Sequence, residues 1–255
     1  MELADKVALI SGSSRGIGRA IAQGLAEDGA DIVINYRRDE AAATEAVQQI
    51  EALGRRAIAV QASIDSYEDD QRMVAEALEA FGKIDILVNN GGIASRGQSV
   101  ADTEAAEMER VVRTHAFGAH HLSQLVVPQM RDLDRGDIVM ISSVTTLSYA
   151  ANGAPYAMAK AALEALAYTL AKEERPHGTH VNVVAPGLVD TDMGQRLAKA
   201  VVGAEDIHDL DAKMPYGRVC RPEDVADVVR FFVSGRGSYL TGEKLNVHGG
   251  GQEWR

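Results

Sequence analysis

The chain has 255 residues, of which 46% are apolar and 25% charged, enough for one large α/β domain or two small ones. Its formal net charge of −11 argues against nucleic acid or an anionic membrane as the main partner. Cys220 is the single cysteine, which excludes an intrachain disulfide, disfavours a cysteine-based metal site and fits a reducing cytoplasm.

No targeting or membrane-spanning segment is expected. The apolar run Val7–Ile10 is too short for the h-region of a signal peptide. No stretch approaches the ~20 apolar residues that cross a bilayer. We therefore expect a cytoplasmic protein without a membrane partner.

Short apolar runs alternate with stretches of helical apolar spacing along the chain. In chain order the pattern predicts strand Val7–Ser11, helix Ile17–Asp28, strand Asp31–Tyr36, helix Asp39–Leu53, strand Ala57–Ala62, helix Tyr67–Phe81, strand Ile84–Val88, a helical region of about Thr103–Arg131, strand Asp137–Ser142, helix Tyr156–Glu174, strand Thr179–Ala185, helix Pro222–Val233 and strand Lys244–Val247.

Repeated β-α-β units with nearly continuous apolar strands are typical of a parallel sheet covered on both faces. Right-handed crossovers then predict a single doubly wound, Rossmann-like α/β domain over residues 1–255, with about seven strands. The stretch 188–221 lacks a clear strand and is longer than a connection needs. We predict a substrate lid there, and an ordinary helical insertion is the alternative.

A glycine-rich turn follows the first predicted strand. Gly12, Gly16 and Gly18 permit a tight strand-to-helix turn, backbone approach to a pyrophosphate and close helix–sheet packing. The free N–H groups and the dipole of the helix that begins there favour phosphate. We therefore predict a dinucleotide site that also includes Ser14 and Ile17.

The end of the second strand favours NADP(H) over NAD. An NAD site usually has an acidic residue there for the ribose 2′-hydroxyl, but Tyr36 stands at that place. Arg37 and Arg38 follow, and Arg15 lies in the glycine-rich turn. Guanidinium groups bind a 2′-phosphate through charge-assisted hydrogen bonds, although a solvated strand end is the plainer interpretation.

Tyr156 and Lys160 are four residues apart, so they share one face of a helix. A nearby ammonium lowers the pKa of a tyrosine and prepares it for acid–base catalysis. Ser143 follows the fifth strand, where its hydroxyl can bind a substrate oxygen. These residues predict hydride transfer between a nicotinamide and a carbonyl or alcohol.

Together, these motifs resemble the classical short-chain dehydrogenase/reductase family over nearly the whole length, and most of all its 3-oxoacyl-thioester (acyl-carrier-protein) reductases. The resemblance implies a catalytic Ser143, Tyr156 and Lys160, and it implies that Tyr156 and Lys160 also contact the cofactor, with Lys160 at the ribose hydroxyls. The segment 89–92 is similar to the family's Asn-Asn-Ala-Gly and 186–191 to its nicotinamide-binding loop. The additional cofactor contacts implied are Asn90, Gly91, Pro186, Gly187, Val189 and Thr191.

Two positions depart from that family pattern. His115 stands where the family has an Asn whose backbone carbonyl orders a water linked to the catalytic lysine, so either this carbonyl or the imidazole serves a proton relay. Ser63 stands where an Asp often binds the adenine amine, next to Ile64. We include all three residues in the predicted site.

The main prediction is an NADP(H)-dependent enzyme that reduces a ketone to a secondary alcohol, as 3-oxoacyl-thioester reductases do. The alternatives are an alcohol, polyol or sugar dehydrogenase and a cofactor-binding protein without turnover. An acyl carrier protein is acidic and would need a basic docking face. Arg131, Arg135 and Arg175 could contribute to such a face. The family resemblance also implies a homodimer or homotetramer, and we expect no metal site.

Overall fold

A computed structural model describes residues 2–251, in which seven parallel strands form one sheet in the order β3-β2-β1-β4-β5-β6-β7. The strands are β1 (Val7–Ile10), β2 (Asp31–Tyr36), β3 (Ala57–Gln61), β4 (Ile86–Asn89), β5 (Gly136–Ile141), β6 (Thr179–Pro186) and β7 (Lys244–Val247). The predicted doubly wound, single-domain α/β fold is confirmed. The strand order reverses between β1 and β4, and ligands of such folds bind at this point.

Helices cover both faces of the sheet. They are α1 (Gly16–Glu27), α2 (Glu40–Ala52), α3 (Tyr67–Phe81), α4 (Ala105–Val112), α5 (Gly118–Met130), α6 (Thr145–Ser148), α7 (Ala154–Glu174), α8 (Asp192–Val202) and α9 (Pro222–Val233). Residues of α1, α2 and α9 form a core with one face, and residues of α3, α5 and α7 form a core with the other. None of the helices in residues 2–251 is long and apolar enough to cross a membrane.

Capping residues explain where several helices begin and end. The Asp39 carboxylate accepts a hydrogen bond from the Ala42 N–H at 3.0 Å and begins α2. The Ser66 hydroxyl begins α3 in the same way. Gly82, with φ of +78°, ends α3 in the left-handed conformation that glycine tolerates best.

The helical region predicted over 103–131 differs from a single helix. A wide π-helical turn, Arg113–Phe117, separates α4 from α5, and in it the Gly118 N–H bonds to the carbonyl of Arg113. Such turns are often found at functional sites. Here the wide turn contains His115.

The segment 188–221 is helical, as both sequence interpretations allow. It contains α8 and two short 3₁₀ turns, Ile207–Lys213 and Pro215–Gly217. Seven buried residues form a small core of its own: Leu188, Ala198, Ala204, Ile207, Leu210, Met214 and Val219.

Candidate active site

The glycine-rich turn accepts no side chains where it faces the cleft. Gly12 and Gly16 have φ of +62° and +56°. A Cβ on Gly12 would lie 2.9 Å from the Cα of Gly91, and one on Gly18 would lie 2.5 Å from the Gly12 carbonyl oxygen. The bare backbone and the adjacent start of α1 therefore fit a dinucleotide pyrophosphate.

Polar side chains that the sequence interpretation missed brace this turn from the β2 side. The Ser13 hydroxyl donates to the Ile10 carbonyl at 2.7 Å and accepts from the Asn35 N–H at 3.0 Å. The Asn35 amide oxygen accepts from the Gly12 N–H at 2.9 Å. In the sequence, the polar Asn35 interrupts the otherwise apolar run of β2. This was the signal that could have predicted its role in holding the turn.

Asn90 and Gly91 brace the same turn from the β4 side. The Asn90 amide donates to the carbonyls of Ser11 and Gly12 at 2.9 and 3.1 Å. The Gly91 N–H donates to the Ser11 hydroxyl at 2.9 Å. Both residues lie at the predicted cleft, and the Asn90 side-chain amide is occupied by the hydrogen bonds that hold the turn.

Arg37 and Arg38 are exposed beyond the end of β2, whereas Tyr36 is 9% exposed. Neither arginine has an ion pair within residues 2–251. Two uncompensated guanidinium groups therefore lie where a ribose 2′-substituent is expected.

Arg15, the third predicted phosphate ligand, is shared between two carboxylates. Its guanidinium lies 3.4 Å from Asp39 and 3.4 Å from Asp192, and its side chain is 56% exposed. Long, exposed ion pairs of this kind are weak. Arg15 can therefore turn towards an anion at little cost.

Ser63 and Ile64 lie beyond the end of β3. The Ser63 hydroxyl donates to the Asp65 carboxylate at 2.6 Å, and its N–H donates to Asp69 at 2.8 Å. With its hydroxyl proton engaged, Ser63 can offer only lone pairs to a ligand. An acceptor is what an adenine amine requires. The Ile64 side chain lies against Gly91.

Ser143, Tyr156 and Lys160 come together at the carboxyl ends of β4 and β5. The phenol of Tyr156 lies beside the Ser143 side chain and interacts with it. The Lys160 ammonium is 5.7 Å from the centroid of the Tyr156 ring and donates to the Ile141 carbonyl at 2.6 Å. The arrangement presents a hydroxyl and a phenol together, backed by a buried ammonium.

Burial controls the titration of this cluster. It raises the pKa of Tyr156 to about 12, opposed by the interaction with Ser143. It lowers the pKa of Lys160 to about 7, opposed by the charge of Glu164. The sequence suggested a lowered tyrosine pKa. In the chain itself desolvation is the largest cause and raises this pKa, so the phenol stays protonated at neutral pH.

His115 is 3% exposed in the wide turn, and its ring packs edge-on against Tyr156. Its Nε2 lies 2.8 Å from the Ile93 carbonyl oxygen, and its buried Nδ1 has no partner within the described part of the chain. Burial lowers the pKa of His115 to about 3, and the positive charge of Lys160 adds to the effect. The imidazole is therefore neutral over the ordinary pH range.

The His115 ring occupies the space beside Gly92. A Cβ built on Gly92 would overlap the Cε1 atom of the ring. The absence of a side chain at position 92 therefore leaves the space that the His115 ring fills.

A small cavity connects this region to the ammonium of Lys160. Its volume is about 10 Å³, and its lining includes Asn89, Thr114, His115 and Lys160. That volume is about the minimum for one water molecule. The wide turn supports a water site, because a return from π to α spacing leaves one carbonyl without a helical N–H partner.

The loop after β6 lies against the glycine-rich turn. The Gly187 N–H donates to the Val247 carbonyl at 2.9 Å, and the Pro186 carbonyl accepts from Val144. The Thr191 hydroxyl caps α8 by accepting from the Gly194 N–H at 3.0 Å. The cap leaves a second lone pair on the Thr191 oxygen for a ligand. Val189 lies in the same loop and is 5% exposed.

Apolar residues at helical spacing usually pack into a core, but those on α8 lie largely at the surface. Leu197, Val201 and Val202 are 49%, 67% and 45% exposed. Gly194 and Ala198 are the buried residues of this helix. An apolar surface of this kind suits a flap over a substrate.

The arginines considered for a basic docking face are mostly neutralised. Arg131 forms hydrogen bonds to the buried Glu174 at 2.6 and 2.8 Å, and Arg135 pairs with Asp137. Of the three, Arg175 alone has no ion pair within residues 2–251. In that range no group of three or more His, Cys, Asp and Glu residues is arranged to hold a metal ion.

Comparisons with known proteins agree with this geometry. A family model described as enoyl-(acyl carrier protein) reductase matches residues 12–252. The L-rhamnose 1-dehydrogenase (NAD(P)(+)) of a Sphingomonas species is 36% identical over 249 residues, covering 97% of this chain and 96% of that protein. The 3-oxoacyl-[acyl-carrier-protein] reductase FabG of Staphylococcus epidermidis is 33% identical over 247 residues, covering 96% and 98%.

Among solved structures, a short chain dehydrogenase from Burkholderia cenocepacia in complex with NADP has a TM-score of 0.88 to this chain. It is 36% identical, and the match covers 98% of both chains. The protein belongs to the short-chain dehydrogenase/reductase family and is an oxidoreductase of that family.

Proposed function

We propose that this chain is an NADP(H)-dependent reductase that converts a ketone into a secondary alcohol. The observation that carries the proposal is the meeting of Ser143, Tyr156 and Lys160 beside the bare glycine-rich turn. An acid–base group and a dinucleotide cradle in one cleft are what carbonyl reduction requires.

Each side chain has a distinct task in this reaction. NADPH, when bound, supplies the hydride that forms the new C–H bond. The Ser143 hydroxyl binds the carbonyl oxygen, on which negative charge develops. The protonated phenol of Tyr156 gives its proton to that oxygen, and the buried Lys160 ammonium stabilises the phenolate left behind. A proton taken up from solvent restores the phenol.

The charges near the ribose favour NADP(H). Arg37 and Arg38 are exposed and uncompensated, and Tyr36 replaces the acidic residue that would repel a 2′-phosphate. Arg15 is held only by long, exposed ion pairs. The NADP-bound structure from Burkholderia cenocepacia supports the same choice.

The substrate we propose is a 3-oxoacyl thioester or a small ketone of similar shape. The FabG relative and the exposed apolar stripe of α8 support an acyl chain, free or carried on an acyl carrier protein. Sugar or polyol oxidation is the second candidate, because the Sphingomonas relative is a rhamnose dehydrogenase. A cofactor-binding protein without turnover is the third.

We also propose a cytoplasmic homodimer or homotetramer. Phe117 on the wide turn and Met158 on α7 are 48% and 56% exposed. Large apolar side chains on neighbouring helices are suited to contact with a second copy of the chain.

The test is a turnover panel. NADPH oxidation is followed with ethyl acetoacetate, acetoacetyl-CoA and a diketone, and NADP⁺ reduction with L-rhamnose and xylitol. We expect reduction of the ketone group of acetoacetyl-CoA or of a free ketone, and we expect this reduction to depend on Tyr156. Faster sugar oxidation would favour the second candidate, and tight NADPH binding with no turnover on the whole panel would favour the third.

A further inference from the structure

A buried carboxylate on α7 connects three other polar side chains. The Oε1 atom of Glu164 accepts from the Ser142 hydroxyl at 2.5 Å and from the Lys244 ammonium at 2.8 Å. The Thr146 hydroxyl lies 2.8 Å from the same oxygen, and Lys244 also donates to Thr146 at 2.6 Å. We call these four residues the Glu164 network.

The Glu164 network surrounds the loop that carries Ser143. Ser142 directly precedes Ser143, and the Thr146 hydroxyl is 2.9 Å from the Ser143 carbonyl oxygen. The loop is therefore held on both sides of Ser143 by one carboxylate and one ammonium. The hydroxyl of Ser143 itself remains outside the network.

The network also connects the catalytic helix to the last strand of the sheet. Glu164 lies one helical turn after Lys160, so a movement of α7 moves both side chains. Lys244 belongs to β7, the edge strand next to β6. The edge strand is thereby connected to the position of the Ser143 loop.

A contribution to stability does not by itself explain the ion pair between Glu164 and Lys244. The side chains of Glu164 and Lys244 are 12% and 14% exposed, so both charges are largely desolvated. Apolar residues of similar volume often replace a buried ion pair without loss of stability. Because the pair holds the Ser143 loop, we look for its role in the function of that loop.

We propose that Glu164 and Lys244 are positioning residues that hold Ser143 in register with Tyr156 and Lys160, so that β7 helps to set the geometry of the reacting groups. The proposal rests on the proposed ketone reduction. Its physical basis is that a misplacement of about 1 Å can cost about 10²-fold in rate.

The first test uses Glu164→Gln and Lys244→Met, with ethyl acetoacetate and NADPH as probes. We expect kcat to fall by about 10- to 100-fold in each, while the Kd for NADPH changes by less than about twofold. In Glu164→Gln the inflection of Lys160 in the pH–rate profile should move to lower pH, because the Glu164 charge supports the ammonium.

The matched control is Glu174→Gln, which removes another buried carboxylate from α7, one that pairs with Arg131 away from the site. It should keep the kcat and the pH profile of the parent chain. Equal losses of kcat in Glu174→Gln and Glu164→Gln would overturn the proposal, because general weakening of the helix would then explain both.

The double variant Glu164→Leu/Lys244→Met separates positioning from stability. We expect near-parental thermal stability and a kcat no higher than that of the slower single variant, since both side chains act on one loop. Recovery of kcat together with stability would overturn the proposal.

Amide hydrogen exchange gives a readout that needs no turnover. The amides of Val144, Thr146 and Leu147 are hydrogen-bonded in the Ser143 loop. They should exchange faster in Glu164→Gln and Lys244→Met than in Glu174→Gln. Unchanged exchange would overturn the positioning role. An inactive parent chain with loop amides loosened by the variants would count against ketone reduction alone.

Discussion

The imidazole of His115 and the phenol of Tyr156 meet edge to face, with ring centroids 5.2 Å apart and ring planes at 89°. Because burial lowers the pKa of His115 to about 3, the tyrosine is packed against an uncharged ring. This favours the interpretation in which a backbone carbonyl of the wide turn, and not the imidazole, serves the proton relay.

The first prediction follows from this neutral ring. His115→Asn should leave kcat within about threefold and the pH–rate profile unchanged, because a group with a pKa of about 3 does not titrate near neutrality. The measurement is kcat against pH for both proteins. An inflection near ~6.5 that is present with His115 and lost with Asn would show that the imidazole carries protons.

The second prediction concerns Tyr156. Tyr156→Phe should keep NADPH binding and lose at least ~10²-fold in kcat, because no other group replaces the proton donor. Fluorescence titration and steady-state rates measure the two effects. Tyr168→Phe, a half-buried tyrosine farther along α7, is the control and should turn over normally. Comparable rates for the two variants would contradict the role of Tyr156.

The third prediction concerns cofactor choice. The parent chain should prefer NADPH, and Arg37→Asp should narrow or reverse the preference. A lost charge-assisted contact costs ~1.5–3 kcal/mol, or about 10- to 150-fold in affinity. Kd values for NADPH and NADH are compared by titration. The control is Arg236→Asp, which makes an equal charge change at an exposed turn after α9 and should leave both Kd values unchanged. Equal Kd values for both cofactors in the parent chain would reject NADP(H) selectivity.

The fourth prediction concerns Asp70, whose side chain is fully buried on α3 and has no hydrogen-bond partner within residues 2–251. The nearest possible partner, Nδ1 of His121, is 3.6 Å away, and burial lowers the pKa of that histidine. Burial raises the pKa of Asp70 to about 8. The folded chain therefore binds a proton that the unfolded chain releases above its ordinary pKa of ~3.9.

It follows that the contribution of Asp70 to stability is complete below pH ~4 and is lost as pH rises towards about 8. Asp70→Asn should remove this slope, so its Tm should exceed that of the parent chain increasingly between those pH values. Thermal melts across this range measure the effect, with exposed Asp132→Asn as control. A constant difference in Tm would show that the Asp70 carboxyl does not take up a proton on folding.

The sequence predicted those features that depend on local pattern. Apolar runs and helical spacing identified the seven strands of the described residues, with differences of at most two residues at their ends. The glycine-rich turn and the Tyr156–Lys160 pair could be predicted from the sequence, because spacing along the chain fixes their geometry. The roles of the site residues remain predictions.

Other features depend on contacts that spacing does not encode. The wide turn at 113–117 interrupts the helical region predicted over 103–131, and the sequence pattern did not predict this interruption. The Glu164 network joins a loop, a helix and a strand that are distant in sequence. A carboxylate four residues after Lys160 was visible, but its partner Lys244 depends on the order of strands in the sheet.

The shared volume of Gly92 and His115 also limits how this site can change through evolution. A Cβ at position 92 would overlap the Cε1 atom of the His115 ring, so any side chain there requires the imidazole to move. The two positions are therefore epistatic, and the effect of a substitution at either one depends on the residue at the other.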